Sequence, residues 1–187
     1  MRIISGNLKG KKIELPKDKS TRPLKDLTKE SIFNIIQHSN LCKVDLMKSN
    51  ILDCFSGTGS FGLECISRGA KNVIFLESYK PAIKILEKNI TNLQVQKLCK
   101  VYSGNVSNYF QTRNDSKFEI IFCDPPYKFN EISNIFKLIY KNNILNKNGI
   151  VILHRHRKSV DELPVNFNQI QSKIYGISKI NFYKLTN

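Results

Sequence analysis

The chain has 187 residues, 41% of them hydrophobic and 24% charged, a make-up that fits one globular domain with a core of its own. No run approaches the roughly eighteen apolar residues that span a bilayer, and no apolar core follows the basic start MRIISGNLKGKK. Neither a membrane span nor a secretory signal is therefore expected, and a cytoplasmic location is. Thirty Lys and Arg against fifteen Asp and Glu leave a net charge of +15, which directs attention to a polyanionic partner, nucleic acid first.

In chain order, RIISGNLKGKKIEL alternates about Gly6 and Gly10 like a hairpin, and Leu24 to Gln37, beyond Pro23, has the period of a helix. Residues 1–40 are expected to be an N-terminal extension of a single domain spanning 1–187. From Ile51 onward, apolar runs of strand length alternate with helical segments, the pattern of an α/β protein whose mostly parallel sheet is covered by helices. The strands are ILDCF (51–55), NVIFLE (72–77), KVYSG (100–104), FEIIFC (118–123) and GIVILHR (149–155). The helices are Ser60 to Arg68, closing at Gly69, then Pro81 to Asn92 and Glu131 to Tyr140, the last with Ile132, Ile135, Phe136 and Ile139 on one face. Past Leu163-Pro164, QIQSKIYG and ISKINFYKL meet at Gly176 with no helix between them, and are expected to pair antiparallel at the sheet edge, completing seven strands.

Charge is clustered. Nine basic residues against four acids fall in the first thirty positions, and Arg155, Arg157 and Lys158 form a second knot. Arg22, Lys25 and Lys29 are spaced to line one side of a segment and its helix, facing RNA phosphate. The five cysteines are odd in number, lack a C-x-x-C pair and lie in apolar runs, which reads as core packing in a reducing compartment. His154 and His156 flank Arg155 at a strand end without a cysteine or carboxylate cluster nearby, so no metal is expected.

The stretch DCFSGTGSFG places Gly57, Gly59 and Gly62 at the spacing G-x-G-x-x-G, with Glu77 twenty residues past the first glycine, which formally matches a dinucleotide fingerprint. Asp53, four positions before that glycine, argues against a pyrophosphate, whose charges it would repel at reduced dielectric. A cationic ligand is favoured instead. S-adenosylmethionine fits: it has no phosphate, it carries a sulfonium and an ammonium, and its ribose needs a carboxylate acceptor. Gly57 and Gly59 then let the backbone approach the methionine part, Glu77 accepts both ribose hydroxyls, Asn105 bonds the adenine edge, and Ser78 or Val106 lines the ring. The alternative is that Asp53 merely caps the following helix.

DPPY, Asp124 to Tyr127, follows the apolar fourth strand, and its consecutive prolines hold the backbone extended with no donors to offer. Such a segment presents a carboxylate and carbonyls. Hydrogen bonds from a purine amine to the Asp124 carboxylate and the Pro125 carbonyl would localise the nitrogen lone pair toward a methyl sulfonium, while Pro126 keeps the turn stiff and Tyr127 stacks on an unpaired or flipped base.

ILDCFSGTGSFGLECISRGA with FCDPPY, RIISGNLKGKKIELP at the front, RPLKDLTKESIFNII after it and IYGISKINFY near the end together resemble the RsmD family of bacterial small-subunit ribosomal RNA guanine-N2 methyltransferases. The resemblance covers nearly the whole chain. It implies a Rossmann-like class I methyltransferase fold and methyl transfer from S-adenosylmethionine to N2 of a guanine in 16S rRNA within a small-subunit assembly particle, by a monomer. It also implies cofactor residues Asp53, Gly57, Gly59 and Glu77 and the catalytic set Asp124, Pro125, Pro126 and Tyr127. Asn105 stands where an acid is common in the superfamily. Two other readings remain open at this stage: an adenine-N6 methyltransferase of DNA, and a basic nucleic-acid-binding module without activity.

Overall fold

A computed structural model describes residues 1–16, 24–40, 42, 44–111 and 116–186. Seven strands make one sheet: β1 (Asn50–Cys54), β2 (Asn72–Glu77), β3 (Cys99–Ser103), β4 (Phe118–Cys123), β5 (Leu145–His156), β6 (Phe167–Tyr175) and β7 (Ser178–Leu185), in the order β3-β2-β1-β4-β5-β7-β6. The first five run parallel, and β7 pairs antiparallel with β5 and with β6. This is the expected architecture of a Rossmann-like methyltransferase. The chain reverses direction across the sheet between β1 and β4, which opens a crevice beyond their carboxyl ends.

The helices are α1 (Asp26–His38), α2 (Ser60–Ser67), α3 (Lys80–Asn92), α4 (Val106–Gln111) and α5 (Ile132–Lys141). Apolar side chains one helical turn apart bury α5 through Ile132, Ile135, Phe136 and Ile139. On the opposite sheet face, Phe33 of α1, Phe61 of α2 and Phe122 of β4 stack in series, with centroids 5.3 and 4.0 Å apart. No helix among the described residues is long and apolar enough to cross a membrane.

Two elements depart from expectation. β5 starts at Leu145 instead of 149, because its register against β4 jumps between Phe118 and Ile120 and takes up the intervening residues as a bulge. α4 has no apolar period to announce it; Asn105 makes it by capping, its Oδ1 accepting from Ser107 N at 2.8 Å.

The N-terminal hairpin is reduced to one bridge, Arg2 with Lys12, closed by Ile3 N to Lys11 O at 2.9 Å and Ile13 N to Met1 O at 2.8 Å. It docks onto α2. Ile4 N and Ser5 N donate to the two carboxylate oxygens of Glu64 at 2.9 and 3.0 Å, and Leu8 N donates to Ser67 Oγ at 3.0 Å. Lys29 of α1 completes the joint: its Nζ lies 3.4 Å from Glu64 Oε2 and donates to Arg2 O at 3.0 Å, with both charged side chains 0% exposed. Burial lowers the Lys29 pKa, and the Glu64 carboxylate opposes the shift. Lys29 is therefore a structural cation. The expectation that it faces RNA is corrected, because helical spacing places it on the inward side of α1.

Candidate functional site

The carboxyl ends of β1, β2, β3 and β4 and the loop after β4 surround a cavity of about 560 Å³, lined among others by Asp53, Gly57, Glu77, Asn105, Asp124 and Tyr127. That volume suits a nucleoside-sized ligand. Ser78, Val106, Pro125 and Pro126 also line it. Gly59 does not: its positive φ of 86° turns the chain into α2, and a Cβ there would meet Leu86 Cδ1 at 2.5 Å, so packing against α3 demands the glycine. Gly57, with φ 55°, has nothing within 4 Å of a built Cβ, so the free space beside it faces the cavity.

Asp53 is 1% exposed, and its Oδ2 accepts from Gly62 N at 2.9 Å. It thus caps α2, the plainer of the two roles, while also lining the cavity. Burial drives its carboxyl pKa well above the usual range; the Gly62 bond pulls it back, and the Asp124 and Glu77 charges raise it further. Glu77 braces the glycine loop: Oε2 accepts from Gly57 N at 2.7 Å, and Oε1 from both Ser78 N and Tyr79 N at 2.8 Å. A carboxylate offers about four lone-pair sites, so one position on Oε2 is left. For Glu77 to take both hydroxyls of a ribose, one of these amide bonds would have to be shared or exchanged. Asn105 has committed its Oδ1 to α4, leaving the amide nitrogen, a donor suited to a ring nitrogen of adenine. Asn89 of α3, 1% exposed, ties this loop to the hairpin exit by donating to Thr58 O and Glu14 O, both at 3.1 Å.

At the other wall, the Asp124 side chain is 26% exposed and its Oδ1 lies 2.9 Å from His154 Nδ1. Phe129 N donates to Pro126 O at 2.9 Å, closing a turn that leaves Tyr127 45% exposed. Lining residues to which sequence reasoning gave no role include Phe55, His154 and Phe129. Phe55 holds a φ of 59°, a conformation that a bulky side chain adopts only under constraint, and its ring meets Phe129 edge-on at 5.0 Å. Nothing in the local pattern signals that.

Of the basic residues expected at RNA, Lys25 is exposed and Arg22 lies outside the described residues. Arg155, read as part of the second basic knot, is like Lys29 an inward-facing cation. It is 6% exposed, its Nε and terminal nitrogen bind the two oxygens of Asp161 at 3.1 and 3.0 Å, and it donates to Phe129 O at 2.9 Å. Arg157, Lys158 and Lys128 are exposed.

The cavity meets the needs of a cationic nucleoside ligand: three carboxylates, Asp53, Glu77 and Asp124, line it, and among the described residues neither Lys nor Arg does. Comparison with known proteins agrees. The family model described as Conserved hypothetical protein 95 matches residues 1–184. Ribosomal RNA small subunit methyltransferase D of Buchnera aphidicola is 33% identical over 97% of this chain and 89% of its own. The protein of that name from Haemophilus influenzae is 30% identical over 98% and 93%. A solved structure from Haemophilus influenzae, described as a candidate methylase, superposes with a TM-score of 0.81 at 28% identity, covering 100% of this chain and 98% of its own.

Proposed function

Since the chain belongs to the RsmD family, the one described as Conserved hypothetical protein 95, we propose that it is a ribosomal RNA methyltransferase whose target is the exocyclic N2 amine of a guanine in 16S rRNA. The observation that carries this reading is the position of Asp124: it heads a proline-stiffened segment on the wall of the same cavity that Asp53, Gly57 and Glu77 line. S-adenosylmethionine, when bound, supplies an electrophilic methyl group on a positively charged sulfur.

The residues of the chain do the rest. Asp53 and the open side of Gly57 receive the methionine part, Glu77 takes one ribose hydroxyl, and Asn105, Val106 and Ser78 border the adenine. The guanine amine is a weak nucleophile because its lone pair is delocalised into the ring. When its two N–H groups donate to the Asp124 carboxylate and the Pro125 carbonyl, the nitrogen turns its lone pair toward the methyl group. Asp124 then receives the proton that the alkylated nitrogen sheds. Tyr127, exposed at the mouth, offers a face on which the extruded base stacks, and the neighbouring Lys128, Arg157 and Lys158, with Lys25 of the front segment, supply phosphate contacts.

DNA adenine methylation is disfavoured by the segment after Tyr127. Only a loop and the ten residues of α5 separate it from β5, leaving no insert to recognise a duplex. The experiment is incubation with labelled cofactor and either immature 30S particles or free 16S rRNA, followed by nucleoside analysis. N2-methylguanosine, formed more efficiently on the particle, is expected; N6-methyladenosine in DNA would overturn the assignment.

A further inference from the structure

The strand tip His154-Arg155-His156 was singled out by its alternation, yet nothing in the methyl transfer described above uses it. Each of the three residues grips the segment that carries Asp124. Arg155 donates to Phe129 O at 2.9 Å, and the His156 ring meets Tyr127 edge-on at 5.4 Å. His154 reaches Asp124 itself, Nδ1 to Oδ1, at 2.9 Å. The pairing follows from the sheet: Cys123 is in register with Leu153, so the next residues, Asp124 and His154, stand side by side.

His154 is an unusual histidine. It is 5% exposed, and neither ring nitrogen makes an aligned hydrogen bond or is open to water. The 2.9 Å approach to Asp124 is close enough, but the N–H direction falls off the line to the oxygen. A buried imidazole with both nitrogens unsatisfied is costly, and the Asp124 carboxylate, with Oδ1 2.9 Å from Nδ1, is a polar group poised to answer it. On its other side the ring's register partner on β7 is Ile180, which offers nothing polar. Across the cavity stand Asp53 and Glu77, and along its own strand Arg155 is committed to Asp161.

We propose that His154 is the positioning residue for Asp124 in the methyl transfer, a role that rests on the function assigned above. A small rotation brings Nδ1–H into line with Oδ1 when the target amine engages the carboxylate. Oδ1 is then held from behind, and Oδ2 is turned to the N–H of the base. Although the ring borders the cavity, neither of its nitrogens is open to it, so His154 acts on substrate through the Asp124 carboxylate. Arg155 and His156 hold the rest of the segment, so that a single strand end fixes the carboxylate, the turn and the stacking ring together.

The test compares three variants. His154→Asn keeps a donor at the δ position and should retain turnover within a few-fold of wild type. His154→Gln moves the donor outward and His154→Leu removes it; both should lose about 10²-fold in kcat, the scale of a misplaced reacting group. Cofactor affinity by calorimetry and the thermal midpoint should stay near wild type for Asn and Gln. Independently of any RNA, ¹⁵N spectra of the imidazole should find the ring proton on Nδ1 in wild type and shifted to Nε2 in Asp124→Ala. Equal turnover of all three variants, or a ring proton indifferent to Asp124, would overturn the proposal. If wild type methylates no ribosomal RNA, the functional reading fails instead, and the ring spectra still decide the pairing.

Discussion

Two buried carboxylates on the same side of the sheet, eleven residues apart in sequence, have opposite surroundings. Glu64 is 0% exposed and fully answered: Lys29 and Arg68 flank it at 3.4 and 2.9 Å, and two backbone amides of the hairpin bind it. Asp53 is 1% exposed and answered by one amide, with two further carboxylates facing it instead of cations. A charge that the protein neutralises itself holds the fold. A charge that it leaves open waits for something positive, and this contrast separates the joint of the N-terminal hairpin from the ligand cavity.

The contrast can be broken at either end. Asp124→Ala should cost the largest effect, about 10³-fold in methyl transfer measured with labelled cofactor, with cofactor affinity nearly unchanged. If that variant turns over like wild type, the site is misassigned. Lys29→Met leaves Glu64 buried without its nearest lysine and should destabilise the fold by roughly 3–5 kcal/mol in denaturant unfolding. Adding Glu64→Gln should recover part of this, and a lysine that faced RNA would instead show a binding defect with normal stability.

Asp53 sharpens the comparison through pH. Its folded-state pKa is raised, first by burial and further by the Asp124 and Glu77 charges. The stability it contributes is present at low pH and is lost as pH rises above the ordinary carboxylate value of about 4 through the raised one. Asp53→Asn should flatten that slope in thermal unfolding at several pH values. A cationic ligand favours the ionised form, so calorimetry in buffers of different ionisation enthalpy should detect proton release on binding to wild type and less in Asp53→Asn. The smallest effect is expected for Lys25→Glu: a few-fold rise in KM for rRNA, diminished by added salt.

β2 and β4 were legible to the residue, because each is built on a short, largely buried apolar run, VIFL and IIFC, of strand length. The carboxyl-edge residues were legible too, since an α/β sheet delivers them to one crevice. What was not legible is pairing. Glu64 lies inside GLECISRGA, yet nothing local says that it meets Lys29, thirty-five residues earlier. Lys29 and Arg155 were therefore read as surface cations, and each proves to be bound to an acid. Asn105 shows the same limit in reverse: a polar residue at a strand end reads as a ligand group, while its oxygen is spent on starting a helix. His154 stood out by its alternation with Arg155 and His156, but nothing local paired it with Asp124, which follows the neighbouring strand.

The hairpin joint also sets an order of events. Ile4 and Glu64 stand sixty positions apart, and Glu14 finds Asn89 seventy-five positions later. A chain emerging from its own ribosome therefore presents residues 1–14 long before α2 and α3 exist to receive them. Lys29 and Glu64 stay hydrated through that interval and lose their water only when the clasp closes. The glycine loop, tied to Glu14 through Asn89, gains its final shape at that late step, so competence to bind a nucleoside should appear only after the hairpin has docked.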